Sequence, residues 1–398
     1  RVVDTPGQLL ADLHVHTGRS GDSYLPDDPR FRSLLAAGID VAVTTDHNAV
    51  TDVADRLEAL VADGTDLRLV AGVEANIHDG DVSLGHFNAF TLATSDLPPD
   101  PSSPSVPAYI DAYALLSGSP LLQLNHPRGI QFAPDEALDA DAHALFTRLG
   151  FDPGLPLDDP ANVWLVTASP ASGTRALDFD ALEVANRFSR AGYRATRNDW
   201  FALMNQGWWL TGTGNSDSHA LEVERAGFPA NLVAVPAPAA GESLDTAAFV
   251  SALRGGRVTV SNGPVVDLLV ETDDGDQGSP GDLVSGSGLT AHVRLRAAAW
   301  VPCRAVRLVV NGVVVAEVLL PDRAAGEALD YTASWPLSPA ADAWVLAEAG
   351  LAEADLLGDE AVELPAPWRW VLPEYEPLAF TNPVRLDVDR DGEYTPGG

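Results

Sequence analysis

Apolar runs that close on polar groups recur through the first 264 residues of the chain. Residues 9–17, Leu-Leu-Ala-Asp-Leu-His-Val-His-Thr, have a two-residue period that predicts a strand sending His14 and His16 to one face. Residues 39–48 form a β-branched run without Gly or Pro, the pattern of a buried parallel strand, and end in Thr45-Asp46-His47-Asn48. The plan repeats over 67–74, closing on Glu74, over 121–126, closing on His126, and over 209–219, closing on Asp217-Ser218-His219. Ala- and Leu-rich stretches such as 30–37 and 53–62 lie between the runs and predict helices. Strand and helix alternate, so the expected class is α/β. Polar groups at the C-terminal ends of successive strands are where a (β/α) barrel collects its catalytic residues.

The pattern changes after Asn262-Gly263-Pro264. Short β-branched runs at 265–270, 289–295, 306–309 and 313–320 alternate with turns, and Asn311-Gly312 between two apolar runs is a strong hairpin signal. Residues 1–264 therefore read as a barrel, and residues 265–398 as a separate, immunoglobulin-like β-sandwich. The Pro/Ser stretch 97–107 and the Asp/Pro stretch 151–160 read as surface loops near the barrel mouth. The tryptophans Trp164, Trp200, Trp208 and Trp209 suit either an aromatic pocket or ordinary core packing.

The histidines carry the chemistry. Of nine in the chain, His14, His16, His47, His86, His126 and His219 fall at or near the ends of the apolar runs, with Asp22, Asp46, Glu74 and Asp217 close by. A lone histidine is usually a partly buried, hydrogen-bonded residue. His-x-His, Asp-His and Asp-x-His at separate strand ends form a different pattern. This mixture of imidazole and carboxylate suits zinc, manganese or iron and points to a metal-dependent hydrolase. His78, His143 and His292 stand without partners and read as structural or surface residues. Asp46 is placed to orient an imidazole N–H.

His14-Val15-His16-Thr17, Thr45-Asp46-His47-Asn48, Gly72-Val73-Glu74, Gly85-His86-Phe87-Asn88, Asn125-His126-Pro127 and Ser216-Asp217-Ser218-His219 together resemble the ordered motifs of the polymerase and histidinol phosphatase (PHP) superfamily. Leu182-Glu183-Val184-Ala185-Asn186, Ser261-Asn262-Gly263-Pro264 and Thr381-Asn382-Pro383 resemble its carbaryl-hydrolase branch. The resemblance covers roughly residues 9–264. It implies a distorted (β/α)7 barrel with two to three divalent ions at its mouth. By the same resemblance His14, His16, Glu74 and Asp217 hold the first ion, and Glu74 bridges to a second held by His86 and His126. Asp22, His47 and His219 hold the third.

Clustered divalent cations lower the pKa of a shared water toward neutrality, so a bridging hydroxide can act as nucleophile without a protein nucleophile. The single cysteine, Cys303, lies far from every motif. Glu74 and Asp217 are thus catalytic as well as ligating. Arg128, two residues after His126, and Arg19, between His16 and Asp22, are placed to reach a substrate oxyanion.

Charge narrows the partners. With 57 acidic and 24 basic side chains and a net charge of −33, the chain lacks the basic footprint that nucleic-acid binding needs. Anionic membranes are disfavoured for the same reason, and no apolar run is long enough to span one. A small-molecule ester substrate is expected. The chain begins with Arg1 and has one cysteine, which suits either the cytoplasm or, after removal of an export segment, the periplasm or a secreted fate. Asp387-Val388-Asp389-Arg390-Asp391-Gly392 imitates the first half of a calcium loop. Its twelfth position is Gly398 instead of the bidentate Glu such loops require, so it reads mainly as an acidic turn.

Three functions stay open at this point. A phosphoesterase acting on a phosphodiester or related phosphoester is favoured, because clustered cations stabilise both entering and leaving oxygens at phosphorus. A carbamate or carboxylic ester hydrolase is the alternative. A non-catalytic binding protein with structural metals is disfavoured, since structural sites close with four ligands and do not share carboxylates between ions.

Overall fold

The computed structural model describes residues 3–51, 66–116, 118–131, 136–139, 143–187, 189–238, 242–324 and 326–396. The helix expected over 53–62 falls outside the described residues. The first part of the chain supplies strands β1 (Leu9–Val15), β2 (Val41–Thr44), β3 (Arg68–Asp79), β4 (Val82–Phe90), β5 (Leu121–Leu124), β6 (Ala181–Asn186), β7 (Thr211–Asn215), β8 (Ala230–Val233) and β9 (Val258–Ser261). Every residue of β2, β5 and β7 is buried, as uninterrupted apolar runs require when both sheet faces are covered.

The strands pair in the order β9-β8-β1-β2-β3-β4-β5-β6-β7. β1, β2 and β3 are parallel, as are β5, β6 and β7. β4 runs antiparallel between the two groups. The sheet curls until β7 returns to β1: Val15 bridges Ser218 in parallel register, and the His16 amide donates to the Ser218 carbonyl at 3.2 Å. Motifs more than 200 residues apart in sequence are thereby side by side. On the outside of the sheet, Gly212 in β7 leaves room for Trp200, whose ring a Cβ there would meet at 2.7 Å.

Helices pack outside the sheet. One runs over Arg190–Asn205, is capped by the Ser189 hydroxyl accepting from the Gly192 amide, and buries Tyr193, Trp200, Leu203 and Met204 at helical spacing. Another, Asp27–Ala37, stops at Gly38, whose left-handed φ of 79° returns its amide to the Leu34 and Leu35 carbonyls. No described helix is long and apolar enough to cross a membrane.

The second part supplies β10 (Val265–Glu271), β11 (Gln277–Gly278), β12 (Leu283–Ser285), β13 (Thr290–Ala297), β14 (Ala305–Val310), β15 (Val313–Leu319), β16 (Leu329–Pro336), β17 (Ala343–Gly350), β18 (Leu378–Thr381) and β19 (Val384–Asp387). β11-β10-β13-β16 form their own sheet. Its inward residues Val266, Leu268, Val293 and Leu295 share one core with Val306 and Leu308 of β14 and with Val345 and Ala347 of β17. The turn at Asn311-Gly312 has both φ angles positive, 48° and 81°, the backbone a two-residue hairpin needs. Hydrogen bonding does not stop at residue 264. β18 pairs antiparallel with β9, so the large sheet runs on into β17 and β19.

A buried ion network ties the parts together. Glu348 of β17 accepts from Arg197 at 2.6 and 2.8 Å, from Arg307 at 2.7 Å and from the Tyr193 hydroxyl at 2.7 Å. Burial alone would raise its pKa, but the two guanidiniums outweigh burial and hold it at about 2. Glu348→Gln should therefore destabilise the protein at neutral pH by about 3–5 kcal/mol, since two guanidiniums lose the fully buried carboxylate they share, with the partly exposed Glu353 and Glu317 left beside them. The stabilisation is full above the ordinary carboxylate value of about 4.3 and is lost as pH falls toward 2. Urea unfolding of both proteins from pH 7 to pH 2.5 checks this; a gap that stays constant over that range contradicts it.

Candidate metal centre

The residues singled out by sequence converge at the end of the curled sheet toward which β1, β2, β5, β6 and β7 point. His14 lies near the end of β1 and His16 follows it. His47 follows β2, His126 follows β5, and Asp217 and His219 follow β7. Glu74 and His86 differ from the strand-end expectation. β3 continues past Glu74 to Asp79 and turns back as β4, so both residues project from the middle of a hairpin, with Asn76 opposite His86.

The His14 and His16 Nε2 atoms each lie 3.2 Å from Glu74 Oε2 and 3.2 Å from Asp217 Oδ1, and 3.2 Å from each other. Tetrahedral coordination with bonds of about 2.0–2.1 Å spaces ligand atoms about 3.3–3.4 Å apart, so the four atoms form a cradle of the right size. Glu74 also divides its oxygens. Oε2 faces the His14 and His16 rings and, at 3.3 Å, His47 Nδ1, whereas Oε1 faces His86 Nδ1 at 3.0 Å and His126 Nε2 at 3.4 Å. Asp22 Oδ2 lies 2.9 Å from His47 Nε2 and 3.1 Å from His219 Nε2. Three groups result: His14, His16, Glu74 and Asp217; His47, Glu74 and His86; and His16, Asp22, His47 and His219.

The donor set fits divalent ions on two further grounds. His47 Nδ1, which faces Glu74 Oε2 at 3.3 Å, is shut off from solvent and makes no hydrogen bond among the described residues, which is costly for a buried nitrogen with no other use. The buried carboxylates also call for positive charge. Burial works against a charged His14, yet Glu74, Asp217 and Glu183 raise its pKa well above the usual imidazole value. Burial likewise opposes charge on His219, and Asp217, Asp22 and Glu224 still lift it to about 10. His86, fully buried among other imidazoles with Glu74 as its nearby carboxylate, falls to about 3. Glu74 and Asp217 are held well below the carboxylate range despite burial, chiefly by His14 and by Arg187 respectively.

The first group is sealed and the third is open: His14 and His16 have no exposed side-chain surface, whereas Asp22 is 47 % exposed. Above the cluster lies a cavity of about 530 Å³ lined by Asp22, His47, Glu74, His86, Asp217 and His219, and also by His143, Arg187 and Glu224. His143, expected to be structural, stacks on His86 with ring centroids 3.9 Å apart and faces this cavity.

The arginine expectations are corrected. The Arg128 guanidinium turns away from the cavity and grips Asp199 at 2.5 and 2.6 Å, with a further bond to the Phe151 carbonyl. Arg19 pairs with Asp27 near the surface. Arg187 is the guanidinium that reaches the cluster, at 2.8 Å from Asp217 Oδ2 and 2.8 Å from Glu224 Oε1. Asp46 touches no imidazole; it accepts from the Thr17 amide and hydroxyl at 2.7 Å each and from the Thr51 hydroxyl.

Glu183, Arg187 and Glu224 had no assigned role from spacing. One signal was available for Glu183: an acidic residue in the middle of an apolar strand must be paired to be buried. In the C-terminal acidic turn Asp342, Asp387 and Asp389 come together. The Asp387 oxygens are already committed to the Arg390, Asp391 and Gly392 amides, as an acidic turn requires.

No protein-family model and no curated protein matches the chain. Among solved structures it is similar to a Bifidobacterium adolescentis protein described as a metal-dependent phosphoesterase, at 15% identity over 61% of this chain and 95% of that one, with a TM-score of 0.31. It is also similar to an amidohydrolase from Chromobacterium violaceum, solved with sulfate bound and no metal, at 13% identity over 62% and 96% and a TM-score of 0.33. At likenesses of this strength, function must be read from the site's own geometry.

Two outcomes follow from that geometry. Glu74→Gln should strip bound metal, measured by elemental analysis, more severely than the roughly 10–100-fold loss typical of outer positions; unchanged stoichiometry would remove Glu74 from the centre. Arg128→Ala should leave metal content unaltered but lower stability by on the order of 3 kcal/mol, because Asp199, which burial already lifts to about 6, is left without its counter-charge. A normal melting temperature with impaired turnover would put Arg128 back in the active site.

Proposed function

We propose that the chain is a metal-dependent hydrolase acting on a phosphoester, a phosphodiester or a relative of one. The observation that carries this is the division of Glu74 between two ligand groups, Oε2 toward His14, His16 and His47 and Oε1 toward His86 and His126. A purely structural ion would need neither a shared carboxylate nor a cavity over its open side. The proposed ligands are His14, His16, Glu74 and Asp217 for one zinc, manganese or iron ion. His86 and His126 with Glu74 hold a second, and Asp22, His47 and His219 hold a third. The fold proposed with it is a PHP-type distorted (β/α)7 barrel over 1–264, supported by the return of β7 to β1. A β-sandwich over 265–398 is supported by the core that two sheets share.

Bound divalent ions supply Lewis acidity, bringing water toward ionisation near neutral pH and neutralising charge that develops on a phosphoryl group. The chain's own residues do the rest. Asp22, Glu74, Asp217 and Glu224 line the cavity with negative charge, so an anionic ester binds only where cations offset them. Arg187 balances the outer oxygen of Asp217 and keeps its other oxygen turned to the two imidazoles. The sealed group keeps water from His14 and His16, while Asp22, His47 and His219 leave the side from which substrate enters open. A cavity of about 530 Å³ falls in the size range of small-molecule sites, which suits a small ester and not a polymer.

Chelation should abolish hydrolysis, and manganese or zinc should restore it. Activity should be highest on aryl phosphodiesters in a panel that also holds monoesters, triesters, carbamates and carboxylic esters. Full turnover by chain shown to be metal-free by elemental analysis would overturn the metal dependence. Carbamate or carboxylic ester rates exceeding all phosphoester rates would move the electrophile from phosphorus to carbonyl.

A further inference from the structure

Glu183 stands behind the metal cluster, on β6, with its side chain fully buried. Four N–H groups converge on its carboxylate. Oε1 lies 3.0 Å from His14 Nδ1 and accepts from Asn215 Nδ2 at 3.0 Å. Oε2 accepts from the His126 backbone amide at 3.0 Å and from Asn186 Nδ2 at 2.9 Å. The Asn215 orientation is not free, because its Oδ1 is taken by the Leu13 amide and by Asn231 Nδ2, at 3.1 and 2.8 Å. Its amide nitrogen must therefore face Glu183.

A carboxylate accepts and does not donate, so the His14 nitrogen facing it is the one that carries hydrogen. That choice leaves the Nε2 lone pair directed at Glu74, Asp217 and His16, the group with ion-sized spacing. The other oxygen acts on a different ligand. His126 has a φ of 27°, outside the comfortable range for a side-chain-bearing residue, and the bond from its amide to Glu183 helps hold that backbone with the ring toward Glu74 Oε1.

We propose that Glu183 is a positioning residue that couples the sealed metal position to the neighbouring one, fixing the His14 tautomer with one oxygen and the His126 backbone with the other. The proposal rests on reading the cluster as a metal centre, but not on which ester the enzyme cleaves. Metal-holding imidazoles commonly gain affinity from a carboxylate on their far nitrogen. Here one carboxylate would serve ligands of two ions, so loss of Glu183 should weaken both together.

The test is chelator competition with the full chain, using zinc and manganese, alongside the visible spectrum of the cobalt-substituted protein. Glu183→Gln turns an amide N–H₂ toward groups that are themselves donors. It should weaken the two tightest metal affinities by about 10–100-fold and shift the cobalt bands. Arg128→Ala, which removes a guanidinium committed to Asp199 and the Phe151 carbonyl, should stay within a few-fold of wild type. A drop in melting temperature with an unchanged competition curve and cobalt spectrum would show a purely structural carboxylate and overturn the proposal. Weakening of one ion alone would overturn the coupling.

Should Glu183→Gln fail to fold, nitrogen-15 NMR of histidine-labelled, metal-loaded wild type decides the matter. His14 should carry hydrogen on Nδ1, and the opposite tautomer refutes the assignment. A wild-type chain that takes up no divalent ion overturns the coupling together with the metal-centre reading. Ion uptake that Glu183→Gln leaves unaltered overturns the coupling alone.

Discussion

Repulsion among buried carboxylates is the constraint around which this protein is arranged. Glu74, Asp217 and Glu183 are almost wholly inaccessible, and each charged group taken out of water without compensation costs several kcal/mol. The compensation is local and complete in kind. Imidazoles crowd Glu74, Arg187 backs Asp217, and amide donors saturate Glu183. This is the electrostatic form of a site built to receive cations. The positive charge toward which their carboxylate neighbours push His14 and His219 is charge that a divalent ion can supply in their place.

The curled sheet gathers these charges from segments far apart in sequence. β1 and β7 contribute His14, His16, Asp217 and His219 at a seam closed by the Val15–Ser218 bridge, and the β3–β4 hairpin pushes Glu74 and His86 in from the side. Contacts of this sequence separation are slow to form. The seam is stabilised by neutral hydrogen bonds, Asn215 to Leu13 and Asn231 to Gly214 and Asn215, which do not depend on how the charges are balanced.

Much of this was legible in the sequence for physical reasons. The imidazole ligands announced themselves because His-x-His and Asp-x-His at strand ends leave few geometries available, and Asn311-Gly312 because only such pairs tolerate two positive φ angles cheaply. What stayed hidden depends on side-chain direction across strands. Arg128 stands two residues from His126, but a left-handed His126 swings the chain away and Asp199 captures the guanidinium. Arg187 and Glu224 gave no signal in their spacing, because Arg187 meets Asp217 and Glu224 only once β6 and β7 pair. His143 looked isolated because the ring it stacks on is 57 positions earlier. The continuity of the sheet from β9 into β18 was also invisible, since strand pairing more than 100 residues apart leaves no local periodicity.

The backbone records the same demand. His126, Arg187 and Asp217 all have positive φ, at 27°, 53° and 47°, and none is a glycine or an asparagine. Conformations of this kind cost on the order of 1–3 kcal/mol each and persist only where surrounding structure over-determines them. Here the surroundings do so. The Arg187 amide donates to the Asn215 carbonyl, the His126 amide to Glu183, and the Asp217 side chain is clamped by Arg187. The three positions stand just past the ends of β5, β6 and β7, beside the cluster. Strain of that size consumes a large fraction of the 5–15 kcal/mol by which a typical native state is stable. The reserve must therefore lie elsewhere, in the apolar core shared by the two sheets and in the Arg197–Glu348–Arg307 network. Among its described residues the C-terminal part adds no candidate ligand to the cluster, and its contribution is to stability.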